Sequence, residues 1–222
     1  MRRLYHFSLC PSCRVIRILL KEKELPFELI EERPWERSDR LMRLNPATNV
    51  PVLVDDEYSV ISGFYPIIEW LEETATERSF LGKEPQERAE NRRLIDWFSY
   101  KMHQEVTHYI LNERVLRFHQ HQEQPDASAI RAAKHNLYTH MDYIDFLLKK
   151  RSWLGPNQLS LADITAAAFL SILDYFGDVP WDYSHSVKEW YALMKSRPSM
   201  RPLLADRLSG FPPSRHYTDP DF

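Results

Sequence analysis

The chain has 222 residues, 43% hydrophobic and 13% aromatic, enough to bury a sizeable core in one domain or two. A formal net charge of -3, with no basic stretch, excludes a surface built for nucleic-acid phosphates or anionic lipid. The only two cysteines, Cys10 and Cys13, cannot form the framework of a secreted disulfide protein, and suggest redox, thiol or metal chemistry in a reducing compartment.

Met1-Arg2-Arg3 is not followed by the apolar run of a signal peptide, and Leu4-Tyr5-His6-Phe7 reads instead as a buried strand. Pro11 suits the first turn of a helix, and Val15, Ile18 and Leu19 carry helical periodicity to Lys23 before Pro26 breaks it. Phe27 to Ile30 is predicted to be a second strand and Glu36 to Leu44 a short polar helix closed by Asn45-Pro46. A hairpin is expected from Val50-Pro51-Val52-Leu53-Val54, the acidic turn Asp55-Asp56-Glu57 and Tyr58-Ser59-Val60-Ile61. Ile67, Ile68 and Leu71 open the next helix, giving the order βαβαββα. Residues 1–74 are thus read as one domain and 75–85 as a polar linker.

Residues 86–208 carry helical spacing throughout. Leu94, Trp97, Phe98, Met102, Val106 and Ile110 mark one helix, and Ile130, Ala133, Leu137, Met141, Ile144 and Leu148 a second. The polar Gln120 to Asp126 separates them. Ser160-Leu161-Ala162-Asp163 is a capping box before an apolar helix, Val187 to Met194 is a further helix, and residues 209–222 form a Pro-rich, non-helical tail. The longest apolar run, Ile164 to Leu173, is too short to span a bilayer. The chain is read as cytoplasmic, without nucleic acid or membrane insertion among its partners.

Cys10-Pro11-Ser12-Cys13 falls where the first strand meets the first helix. A thiol there faces the positive end of the helix dipole, with Arg14 and Arg17 nearby, an arrangement that favours thiolate. Cys10 is therefore the candidate nucleophile and Cys13 its neighbour, against the alternative of two small apolar residues. Zinc would find at most Cys10, Cys13 and His6, too few ligands, so no metal is expected. Val50-Pro51 opens the third strand. A cis bond there would turn the Val50 backbone toward an extended peptide-like ligand, and an ordinary trans proline is the alternative. His119, His121, His135 and His140 are mis-spaced for a metal pair and read as solvated surface. With five glycines, no phosphate-cradling loop is expected.

Together these features resemble the cytosolic glutathione transferases over nearly the whole chain. The resemblance implies an α/β thioredoxin-like N-terminal domain, an all-α C-terminal domain and a homodimer. It sets Cys10 at the catalytic position, in a Cys-Pro-x-Cys like that of omega-class transferases and glutaredoxins, and pairs Val50 beside a cis Pro51 with the cysteinyl backbone of glutathione. The family's Glu-Ser before the third helix is replaced by Gly63-Phe64, and slipping the register by one offers Ser62 but still no acid. Each charged hydrogen bond so lost costs on the order of 1–3 kcal/mol. Asn49 also stands where a Lys is common, so glutathione is not expected to be a required cofactor.

Arg33-Pro34-Trp35-Glu36-Arg37 and the ending His216-Tyr217-Thr218-Asp219-Pro220-Asp221-Phe222 resemble the FtsZ-localised, transferase-like cell-division regulators of α-proteobacteria (FzlA type). That resemblance implies a non-catalytic protein that binds FtsZ filaments at the division site and couples them to septal wall synthesis. Read physically, the tail is a docking peptide, with Tyr217 and Phe222 as aromatic anchors beside His216, and Asp219 and Asp221 seeking cationic partners; a frayed end is the alternative. Trp35 is either a second partner contact or a lid over the ligand cleft. The alternative function is a glutathione-dependent transferase or thiol transferase with Cys10 as nucleophile.

Overall fold

The computed structural model describes residues 1–55, 59–119 and 124–219. Its first unit is a four-stranded mixed sheet in the order β2-β1-β3-β4, made by Arg2–His6 (β1), Phe27–Glu31 (β2), Val52–Val54 (β3) and Val60–Ser62 (β4). β2 runs parallel to β1, while β3 and β4 are antiparallel to their neighbours. Leu4 lies opposite both Leu29 and Leu53, so the middle of β1 is covered along both edges. The parallel pair requires a crossover, which α1 (Pro11–Glu22) supplies. Pro11 starts α1 where no amide donor is needed, and the chain leaves it through Glu24 in the left-handed region before Pro26.

The predicted helix over 36–44 is in fact two pieces. Pro34–Glu36 is a single 3₁₀ turn, and α2 covers Asp39–Leu44, capped by the Ser38 hydroxyl, which accepts from Leu41 N–H. Arg37, with φ of 50°, lies in the left-handed region and separates them. α3 (Phe64–Thr74) begins three residues earlier than the apolar pattern suggests, at Gly63, whose φ of 97° only glycine adopts at low cost. Residues 56–58 of the expected hairpin turn lie outside the described residues.

The stretch between the two units is built into both. Lys23 on α1 donates to the carbonyls of Ala75 and Arg78 and pairs with the buried Glu72 at 2.9 Å. Glu72 in turn accepts from the amides of Phe80 and Leu81. Residues 80–82 are buried, so this is a packed corner rather than a free linker.

The helical unit opens with one continuous rod from Pro85 to His119. It comprises α4 (Pro85–Asp96), a π-helical segment Trp97–Thr107, α5 (His108–Leu111), a second π-helical segment Asn112–Leu116 and α6 (Arg117–His119). α7 (Ala127–Leu148) is capped by Asp126, α8 is Leu161–Tyr175, α9 is His185–Ser196 and α10 is Arg201–Leu204. Every residue of α8 is buried, which makes it the axis of the unit. Its capping box forms as the sequence predicts. Asp163 also accepts from the Leu154 amide at 2.7 Å and Trp190 Nε1 at 3.0 Å, so one carboxylate ties three segments together. No described helix is long and apolar enough to cross a membrane.

Candidate functional site

The site is assembled around the first turn of α1. Cys10 is the N-cap residue, and its Sγ accepts the Cys13 amide N–H at 3.3 Å. Hydrogen bonding to Cys13, first with its side chain and then with its amide, holds the Cys10 thiol below its ordinary value against the opposing effect of burial. Cys13 is the reverse: burial, then its contact with Cys10, pushes its thiol well up. Cys10 is thus the more acidic of the two thiols, half-buried at the surface of a cleft, with a fully buried thiol behind it. The Val50-Pro51 bond is cis, and the Val50 carbonyl faces the Cys10 thiol across a long 3.9 Å contact.

The two arginines of α1 do not chiefly serve the thiol. Arg14, with no exposed surface, donates from Nε to the Ser8 carbonyl and from Nη1 to Ser171 Oγ on α8. It shares Asp206 with Arg17, whose two terminal nitrogens reach both oxygens of that carboxylate at 2.7 and 2.9 Å. The guanidinium of Arg14 lies over the Tyr217 ring. Nothing in the local sequence marks Asp206 as the partner of helix one.

The cleft beside Cys10 has a volume of about 430 Å³. Its walls come from Phe7, Leu9, Trp35, Val50, Leu111 and Leu116, with His103 and His108 at one side, and no lining residue is an Asp, Glu, Lys or Arg. The sequence reading missed both histidines because they stand five positions apart, which in an α-helix separates their faces. Here the His108 amide donates to the His103 carbonyl, an i→i+5 turn that sets the rings 5.7 Å apart on the cleft side. Burial, helped by His108, lowers the pKa of His103 to about 4, so the ring is neutral at pH 7.

Trp35 covers this cleft. Its ring is half-buried, stacked on His119 at 4.8 Å and edge-on to Phe7 at 5.1 Å. Phe211 from the tail packs edge-on to Phe118 at 5.1 Å beside the same histidine. Half-buried between Phe7 and His119, Trp35 is placed for either of its two expected roles, a lid over the cleft or a partner contact.

Gly63-Phe64, where the resemblance sets the family's Glu-Ser, lies at the start of α3. Gly63 caps α3 without a side chain, Phe64 is half-buried, and the Ser62 hydroxyl donates to the Leu44 carbonyl. Pro51 accepts the Gly63 amide at 3.0 Å.

Two expectations are corrected. Tyr217 is not an exposed anchor: it is fully buried, its hydroxyl donates to the Leu203 carbonyl at 2.9 Å, and its ring packs against Tyr175. The aromatic ring fills the gap between α8 and α10 and is unavailable to a partner. His140 is not solvated surface either. It is fully buried, with Nε2 3.0 Å from Glu105 and its ring near Trp97. His119 is stacked under Trp35, His135 is exposed, and His121 lies outside the described residues. His216 is half-buried, 3.1 Å from the buried Asp174, and its carbonyl accepts from Lys195. Asp219 is exposed, while Asp221 and Phe222 lie outside the described residues. Among the described residues no group of three or more His, Cys, Asp or Glu side chains could hold a metal ion.

A thioredoxin-like sheet with a capping cysteine, a cis proline opposite it and an all-helical second unit define the class. Residues 9–74 match the model of the glutathione S-transferase N-terminal domain and residues 83–198 that of the C-terminal domain, and the chain belongs to this family. Within the family it stands with FtsZ-localized protein A of Caulobacter vibrioides, to which it is 45% identical, covering 100% of this chain and 98% of that protein. The solved structure of FzlA from C. crescentus superposes with a TM-score of 0.97 at 45% identity, covering 100% of this chain and 99% of that one. A glutathione S-transferase from Rhodospirillum rubrum F11 superposes at 0.98 with 46% identity over the whole of both chains.

Proposed function

We propose that this chain is a transferase-fold regulator of cell division that binds FtsZ filaments and links them to septal wall synthesis, working as a homodimer at the division site. The observation that carries this reading is full-length likeness to a protein named for its localisation with FtsZ. The cleft supports its second element, that glutathione is not needed. Glutathione brings two carboxylates and an ammonium group, and neither the uncharged cleft lining nor the Gly63-Phe64 end offers them a charged partner.

The buried Tyr217 moves the expected partner contact of the tail outward, onto Asp219, Asp221 and Phe222, with His216 at its base and Trp35 as the second candidate contact. Co-sedimentation with FtsZ filaments at physiological salt tests the reading, and a protein that stays in the supernatant would overturn it. Light scattering reports the dimer. Calorimetry with millimolar glutathione is expected to give no heat of binding. Tight binding with turnover that depends on Cys10 would instead favour a glutathione-dependent transferase or thiol transferase.

A further inference from the structure

We propose that the face astride α10, reaching from the outer edge of β2 to the segment after α10, is a docking site for an extended acidic peptide with an apolar centre. The site lies apart from the cleft beside Cys10, and the proposal stands or falls independently of the division role.

Two hollows flank the short helix α10. One, of about 280 Å³, is walled by Phe27 and Leu29 of β2, Lys21 of α1 and Pro202 and Leu203 of α10. The other, of about 390 Å³, is walled by Lys195, Arg201, Leu204, Ala205, Arg207 and Thr218. Every lining residue that ionises is a cation: Arg17, Lys21, Lys195, Arg201 and Arg207. The chain as a whole has a net charge of -3, so this is a local excess of the opposite sign. Two of the five are spent within the fold, Arg17 on Asp206 and Lys195 on Asp174 and the His216 carbonyl. The other three are exposed and make no ion pair among the described residues. Lys21 lies over the Phe27 ring, and Arg207 donates only to the carbonyls of Leu204 and Asp206.

Three observations specify the partner. The uncancelled cations call for an anion. The apolar walls between them call for more than a bare ion: Leu29 keeps 39% of its surface exposed on a strand, beside Phe27, Pro202 and Leu203. The sheet edge calls for an extended main chain. β2 is the outer strand, and the Glu32 amide donates to the His6 carbonyl, so by alternation Leu29 turns its own N–H and C=O away from β1 to the open edge. Arg40 reaches the Glu31 carbonyl at 3.5 Å and closes the edge beyond that point. The nearby acids do not cancel the site. Glu31 lies 3.3 Å from His6, and Glu28 shares the face of β2 whose next residue, Ile30, packs with Leu41. A segment of about six residues, ~20 Å when extended, is long enough to cross a helix about 10 Å wide and enter both hollows.

The test uses the full-length protein and a synthetic peptide, blocked at both ends, with a central leucine–phenylalanine pair between flanking glutamates. Calorimetry should show binding that weakens roughly tenfold or more as salt rises from about 0.05 to about 0.5 M. No heat of binding with peptide at about 1 mM would overturn the proposal. Two control peptides separate the contributions, one with lysines for the glutamates and one with glycines for the apolar pair. Both should bind at least about tenfold more weakly. Equal binding of the lysine peptide would refute charge recognition, and equal binding of the glycine peptide would reduce the site to a diffuse attraction for anions. Amide exchange at Leu29 should slow when the peptide is bound, and an unchanged rate would overturn pairing at the β2 edge. The Lys21→Glu, Arg201→Glu double variant alters only exposed side chains and should lose roughly tenfold or more in affinity. Light scattering should give this variant the same mass as the wild type. A loss of self-association would instead assign the face to a second copy of the chain and overturn the peptide site. The salt, control-peptide and exchange results decide the proposal even where the variant does not fold.

Discussion

Replacing Asp206 with alanine tests whether the end of the chain is clamped by a desolvated ion cluster. Arg14 is fully buried and Arg17 nearly so, while the Asp206 side chain keeps 12% of its surface. Arg14 would retain Ser8 and Ser171, but both terminal nitrogens of Arg17 would lose their acceptor. Breaking a buried pair and stranding its charge costs about 3–5 kcal/mol. Asp206→Asn, which preserves shape and one acceptor, should lose roughly half of that. Urea unfolding followed by tryptophan fluorescence measures the loss, and trypsin cleavage at Arg207 and Arg215 reports release of the segment that follows α10. A loss under about 1 kcal/mol, the range of an exposed ion pair, with unchanged cleavage would refute the buried-clamp argument.

Asp163→Ala should be more damaging, on the order of 4 kcal/mol or more, since it orphans the amides of Leu154, Gly155 and Ser160 and the Trp190 indole together; the same unfolding experiment checks it. His6 and His103, both held down to about 4 chiefly by burial, should titrate near that pH by NMR. Between pH 6.5 and 4 the unfolded chain binds protons that the native histidines refuse, so stability should fall with falling pH, by up to about 1.4 kcal/mol per unit for each histidine. His6→Gln should flatten that slope. Trp35→Ala should leave stability nearly unchanged but raise Cys10 alkylation by iodoacetamide several-fold, and an unchanged rate would remove the lid.

The first unit was legible because its signals are local. Short apolar and aromatic runs mark the strands, Pro11 marks the start of α1, and the Cys10–Cys13 spacing puts a thiol at its cap. The Gly63-Phe64 that stands in place of the family's Glu-Ser could also be read by counting back from Trp70-Leu71. What escaped was set at a distance. Apolar residues at intervals of three and four do not reveal an i→i+5 turn, so the pairing of His103 with His108 left no periodic trace. The polar partner of the buried His140 is Glu105, thirty-five residues away. Tyr217 sits in an aperiodic, Pro-rich stretch, and its contacts with Tyr175, Leu203 and Arg14 are what make its place a core position.

The tie between α1 and Asp206, just beyond α10, sets an order of assembly. The Arg14 and Arg17 contacts to Asp206 span 192 and 189 residues, among the longest sequence separations in the molecule. A chain emerging from the ribosome completes its sheet and α1 early, but holds two arginines without their Asp206 acceptor until the residues after α10 have been made. The first-made unit therefore waits on the last-made segment to close its surface, and a stalled or truncated product would display that cationic face together with the apolar socket for Tyr217.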